Sequence, residues 1–237
     1  MRAMGGREVS PEEAPELHTI VDRLCQLADS TKPRVAVSNS SVPNAFATGR
    51  SPERSVVCVT RGLLEKLDRD EVEVVLAHEL SHVAHRDVTV MTVAGVTGVV
   101  AALMMRAGYY MSFGRSNNNN NGIPIQLLFI LVGAVVYGLS FVLIRSLSRY
   151  RELAADRAAA TLTGAPSTLA SALTKLSGDM AKIPEKDLRS SASANHLALI
   201  PAISGKAAFG QLFSTHPSLE KRLEQLAKIS AQLSRPE

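Results

Sequence analysis

Two uncharged apolar stretches, residues 88–105 and 123–144, cut this 237-residue chain into three parts and limit what it can fold into. They hold 18 and 22 residues. At helical rise they reach roughly 27 and 33 Å, against a hydrocarbon core of about 30 Å. The second is long enough for a transmembrane helix. The first is shorter and carries Thr89, Thr92 and Thr97, so a helix buried in a protein core is its plainer alternative. Small residues at four-residue spacing, Ala94, Gly98 and Ala102 on the first and Ala134 and Gly138 on the second, predict two helices that approach closely as a hairpin. Residues 106–122 between them include five consecutive asparagines and read as a solvated, disordered loop.

Charge gives the hairpin a direction. Lys66, Arg69 and Arg86 precede it and Arg145, Arg149, Arg151 and Arg157 follow it, while the loop holds only Arg106 and Arg115. The positive-inside rule then places both flanks in the cytoplasm. The formal charge of +4 becomes a juxtamembrane feature that faces anionic headgroups. Basic and aromatic residues are not interleaved, so no nucleic-acid partner is expected. Cys25 and Cys58 are too few for a disulfide framework and suit a reducing compartment as small buried groups. Residues 1–9 have no apolar core of a signal peptide.

The chemistry lies just before the first apolar stretch, in His78-Glu79-Leu80-Ser81-His82. Residues four apart on a helix lie about 40° apart around the axis and roughly 6 Å along it. His78 and His82 can therefore point two imidazoles at one tetrahedral ion, and Glu79 is offset enough to reach a water beside it. Asp68 followed by Glu71 predicts a capping box at the start of this helix. Leu67, Val74, Val75, Leu76 and Val83 supply apolar positions.

A catalytic zinc needs a third protein ligand and an open fourth position. Glu152 and Asp156, four apart beyond the second apolar stretch, present two carboxylates on one helical face. Two spans return the chain to the side it left. His82 lies six residues before the first and Glu152 eight after the second, or roughly 9 and 12 Å from the hydrocarbon edge. Glu152 is therefore the expected third ligand, and Asp156 is expected to hydrogen-bond a ligand histidine. The plainer reading pairs both with Arg149, Arg151 or Arg157 on a solvated face. His85 shares the face of His78 but lies roughly 10 Å along the axis, too far for one ion.

With these residues in view, the chain resembles the HtpX branch of the membrane-bound gluzincin metalloproteases, relatives of the prenyl-protein protease. The likeness runs through Pro43-Asn44-Ala45-Phe46-Ala47-Thr48-Gly49, His78 to Asp87, Ser148 to Asp156, and Leu212-Phe213-Ser214-Thr215-His216-Pro217-Ser218. It implies a zinc endopeptidase of the cytoplasmic membrane, working in quality control of membrane proteins. By family position His216 stabilises a developing oxyanion or occupies the open zinc position at rest, and Arg222 holds a carboxylate such as Asp156. The plainer reading makes them a helix-capping histidine and a surface arginine. Family members usually begin with two further transmembrane helices, and none is expected here before residue 88. The chain therefore reads as a truncated or shortened member, and often Asn stands where this chain has His85.

The remaining sequence frames the site. Ser10-Pro11-Glu12-Glu13 predicts a helix start, with Leu17, Ile20, Val21, Leu24, Leu27 and Ala28 as its apolar face. Residues 34–38 and 55–60 read as strands, with 45–48 between them, and the resemblance implies that this sheet's edge binds an extended substrate near Asn44. Asn44 and Phe46 read equally well as turn and core residues. Residues 167–177 predict a helix, 183–211 a mobile cover, and Leu219, Leu223, Leu226, Ile229 and Leu233 a closing amphipathic helix.

The expected fold is mainly α with a small antiparallel β-sheet, an α+β zincin-like arrangement interrupted by a transmembrane helical hairpin. One cytoplasmic protease domain comprises residues 1–87 and 146–237, and the hairpin residues 88–145. The expected function is a Zn²⁺-dependent endopeptidase, one ion per chain held by His78, His82 and Glu152, with Glu79 as general base. Its partners are membrane-protein or unfolded-protein substrates and the lipid bilayer, with the oligomeric state open. Alternatives are a non-catalytic zinc-bound scaffold, in which Glu79 would be replaced, a prenyl-protein protease-like enzyme, and a sensor-linked regulatory protease.

Overall fold

The computed structural model describes residues 5–49, 51–113, 124–180 and 216–235. Residues 114–122 of the expected loop and the whole expected cover at 183–211 lie outside the described residues. The chain forms two compact units, Met1–Val88 with Arg149–Glu237, and Thr89–Ser148.

In the first unit, strands β1 (Gly6–Glu8), β2 (Arg34–Ser38), β3 (Ala45–Thr48) and β4 (Val56–Thr60) make one sheet in the order β1-β2-β4-β3. The sheet is mixed rather than antiparallel throughout. β1 and β3 run antiparallel to their neighbours, but β2 and β4 are parallel, with Ala36 opposite Cys58. The cause is the excursion through β3. After β2 the chain runs out to the far edge, turns, and returns as β4 in the middle. Alternation then sorts the side chains. Val35, Ala45, Ala47, Val57 and Val59 join the main core, and Ala36, Phe46, Val56 and Cys58 pack together as a second cluster.

Helix α1 (Pro15–Leu27) buries Leu17, Ile20, Val21, Leu24 and Cys25. It starts later than Ser10. Glu13 does accept a hydrogen bond from the Ser10 backbone at 2.9 Å, but Ala14 sits at φ −143°, ψ 63°. A residue before proline is pushed out of the helical region, so the helix begins at Pro15. After β4, Thr60 caps the short α2 (Arg61–Lys66) by accepting from the Leu63 N–H. Gly62 is obligatory there, since a Cβ would stand 2.0 Å from the Ser41 carbonyl oxygen.

Helix α3 (Arg69–Ala84) opens with the expected capping box: Asp68 accepts from the Glu71 N–H, and the Glu71 carboxylate accepts from that of Asp68. Every residue from Glu71 to Ser81 is buried. It is a core helix, so polar residues on it need partners. Helix α6 (Pro166–Met180) contributes Leu169, Leu173 and Leu176 to the core. It also supplies partners for buried Glu71, through Ser171 Oγ at 2.8 Å and Lys175 Nζ at 2.6 Å. Helix α7 (Leu219–Leu233) is capped by Ser218 and buries Arg222, Leu226 and Ile229.

Helices α4 (Asp87–Phe113) and α5 (Ile125–Thr163) run through the second unit. Both are long and apolar enough to cross a membrane, and the first continues past the expected end at residue 105. Their close approach uses other small residues than the four-residue stripes predicted. A Cβ on Gly133 would meet Met105 Cγ at 2.7 Å and the Ala101 carbonyl at 3.0 Å, and one on Gly108 the Gln126 carbonyl at 2.6 Å, whereas Gly98 and Gly138 face open space. Ala101 and Gly108 are seven apart, the period of helices that cross at a shallow angle.

Candidate metal centre

The helical repeat brings His78 and His82 to one side of α3, with their Nε2 atoms 3.2 Å apart. The first-unit part of α5 adds Glu152, whose Oε1 lies 3.5 Å from His82 Nε2 and whose Oε2 lies 3.8 Å from His78 Nε2. Ligands bonded at about 2.0–2.2 Å around a tetrahedral ion stand about 3.3–3.5 Å from one another. The His78–His82 and His82–Glu152 spacings lie close to that figure, and the His78–Glu152 spacing, 3.8 Å to the other carboxylate oxygen, is longer. Moreover, Glu152 Oε2 is buried with His216 Nδ1 3.2 Å away but no well-aligned hydrogen bond, so it keeps capacity to bind a cation. His78, His82 and Glu152 therefore fit a metal ion.

Each histidine turns its other nitrogen to an aspartate. His78 Nδ1 lies 3.0 Å from Asp156 Oδ1, off the line of a good hydrogen bond. Asp156 in turn accepts two bonds from Arg222, 2.7 Å from Nε and 2.6 Å from Nη2. Asp156 and Arg222 are fully buried. His82 Nδ1 makes the better-aligned contact, 2.5 Å to Asp87 Oδ2, and Arg151 Nη2 reaches the same oxygen at 2.6 Å. His216, at the foot of α7, puts Nδ1 3.2 Å from Glu152 Oε2, and Arg222 Nη1 lies 4.0 Å from that atom.

Electrostatics follow the burial. Burial pushes the Glu79 carboxyl up to about 8, opposed by His82 and reinforced by the charge of Glu152. Positive charge held by the neighbouring donors works against that rise. Burial lowers His78. It also pulls on His82, but the hydrogen bond to Asp87 and the charges of Glu152 and Glu79 outweigh it and His82 is raised. For Glu152 burial is outweighed by His216, His78 and His82, which hold it well below the usual carboxylate range. Arg222 does the same for Asp156.

Glu79 Oε2 accepts a hydrogen bond from the Ala47 N–H of the edge strand β3 at 3.0 Å. Beyond it a cleft is lined by Ala47, Thr48, Ser51, His82 and Val83. Asn44 sits just before β3, its backbone bonded to Thr60 in both directions. His85 stands apart from the three donors and caps α3, with Nδ1 2.8 Å from the Ser81 carbonyl. The contribution of Asp87 is absent from the sequence reading. A residue five beyond His82 lies about 140° around an unbroken helix. Here Arg86 adopts a left-handed φ of 54°, the helix ends at His85, and the chain turns Asp87 back to His82. Left-handed backbone at a non-glycine residue leaves no signature that a helical wheel can register.

A two-histidine helix with an intervening glutamate, an acidic donor from a second helix and a strand beside the glutamate define a metallopeptidase. Comparison with known proteins agrees. The model of peptidase family M48 matches residues 11–230, and the chain belongs to that family. It is 56% identical over 231 residues to Protease HtpX homolog 1 of Streptomyces coelicolor, covering 98% of this chain and 76% of that protein. It is 50% identical to the Protease HtpX homolog of Moorella thermoacetica (98% and 77%) and 42% identical to that of Pyrococcus furiosus (96% and 78%). Among solved structures, S. mikatae Ste24p shares the fold, with a TM-score of 0.56 at 18% identity over 93% of this chain and 51% of that one. The protein is thus a membrane metallopeptidase.

Proposed function

We propose that this chain is a zinc endopeptidase of the cytoplasmic membrane that cleaves misfolded or damaged membrane proteins, with its site on the cytoplasmic side. The observation that carries the reading is the donor triangle of His78, His82 and Glu152 beside a buried glutamate. Residues 1–87 and 146–237 act as one protease domain, and residues 88–145 as the membrane hairpin. The basic flanks support the orientation.

A zinc ion held by His78, His82 and Glu152 would supply Lewis acidity to the scissile carbonyl and to the attacking water. Glu79 takes the proton of that water and delivers it to the leaving amine nitrogen. The Ala47 N–H holds the Glu79 carboxylate, so the base is aimed by the strand on which an extended substrate, entering past Asn44, would lie. Asp156, fixed by Arg222, orients His78. His216 lies close enough to Glu152 to donate to the tetrahedral oxyanion as it forms.

Cleavage of casein by the detergent-purified chain with added zinc, beside Glu79→Gln, tests the reading. We expect hydrolysis to fall at least about a hundredfold in the variant while zinc stays bound. Equal cleavage by both proteins would remove Glu79 from the mechanism. Zinc bound without cleavage by either would favour a non-catalytic scaffold.

A further inference from the structure

Two arginine–aspartate–histidine chains converge on the donor triangle, and only one belongs to the reading above. The second runs from Arg151 through Asp87 to His82. We propose that Asp87 and Arg151 are positioning residues for His82: the aspartate fixes the imidazole so that Nε2 faces the metal, and the arginine fixes the aspartate. The assignment rests on the metallopeptidase reading and deepens it.

Geometry carries the argument. The Asp87 contact to His82 is well aligned, at 2.5 Å, whereas that of Asp156 to His78 is longer, at 3.0 Å. A carboxylate on Nδ1 settles which ring nitrogen keeps its proton and leaves the lone pair on the other. Asp87 is buried, and the Arg151 side chain is 17% exposed, so the charges meet largely out of water, where a pair is directional. An acidic residue at the start of α4 would be favourable for helix-dipole reasons alone. That account explains neither the left-handed Arg86, which turns Asp87 toward the metal helix, nor the arginine arriving from another helix on the oxygen that touches His82. Arg151 precedes Glu152 on α5, so adjacent residues supply one donor and brace another.

The two arms differ in a way that sets expectations. Arg222 grips Asp156 through two nitrogens, while Arg151 reaches Asp87 through Nη2. A lysine can replace a single point contact but not a fork. Arg151→Lys is therefore expected to work nearly as well as the native residue, and Arg222→Lys is not.

The test uses the full chain in detergent, stripped of metal, and measures Zn²⁺ affinity by competition with a chromophoric chelator. The visible spectrum of the Co²⁺-loaded protein reports ligand geometry, and thermal unfolding of the metal-free form reports general damage. Asp87→Asn is expected to weaken zinc binding about 10–100-fold and to alter the cobalt bands. Arg151→Met should weaken it about tenfold with the metal-free melt unchanged, and Arg151→Lys should restore most of the loss. Native affinity and spectra in both Asp87→Asn and Arg151→Met, with binding abolished in His82→Ala, would overturn the assignment and leave the functional reading standing. A loss that simply tracks the metal-free melt, with no rescue by lysine, would also overturn it. A native chain that takes up no metal would overturn both.

Discussion

The two units handle the same residue types in opposite ways. In the first, Val57, Leu76 and Leu173 are completely buried, because strands and helices from distant parts of the sequence close around them. In the second, Val99 is 60% exposed, Leu139 60% and Leu143 67%. Those helices satisfy their own backbone and turn their side chains outward, which is tolerable only where the surroundings are themselves apolar. The difference teaches that hydrophobicity alone does not tell inside from outside. Packing decides in one unit, the solvent in the other.

Substitutions should separate the two regimes. The largest effect is expected in the buried core. Leu173→Ala should cost about 2–5 kcal/mol, read by thermal unfolding under circular dichroism in detergent, whereas Leu139→Ala should hardly move the melt. A comparable loss at both sites would erase the contrast. Next comes charge. Val99→Arg should raise the apparent cost of membrane insertion by about 2.5–3.5 kcal/mol, measured by glycosylation mapping during translation into microsomes. Leu64→Arg, on the exposed side of α2, should change folding by no more than about 0.5 kcal/mol. Within the hairpin, Gly133→Leu should weaken the helix pair by about 1–3 kcal/mol, seen as altered migration or protease sensitivity, while Gly138→Leu should be silent. The smallest effect is in the polar part of the core. Ser171→Ala removes a hydrogen bond to buried Glu71 and should cost about 1 kcal/mol with zinc content unchanged.

What could be read from the sequence was local. The capping box at Asp68, the apolar face of α7 and the shared side of His78 and His82 depend on residues a few positions apart, and helical spacing suffices for them. Glu152 is distant in the chain, but two apolar spans of helical length carry enough geometry to bring it back beside the histidines. Features that depend on non-local choices leave no such local mark. β4 pairs parallel with β2 because β3 passes to the far edge, and valine content is blind to the order of strands. The hairpin offers several rows of small residues, and packing selects Ala101, Gly108 and Gly133 from among them. The pair of Asp87 and His82 depends on one left-handed residue. At α1, Pro15 overrides the cap at Ser10 by pushing Ala14 out of the helical region.

The order of the site's parts along the chain has a consequence in time. The imidazoles come first, the acidic donor 70 residues after His82, and the arginine that steadies Asp156 66 residues beyond its partner. A ribosome adding roughly 5–20 residues per second needs roughly 7–28 seconds to travel from His82 to Arg222. By residue 144 both apolar stretches are already made, and over the 78 residues that remain from there to Arg222 the hydrolytic centre still lacks its last brace. The Arg222 brace is thus expected to reach Asp156 only after both apolar helices have been synthesised.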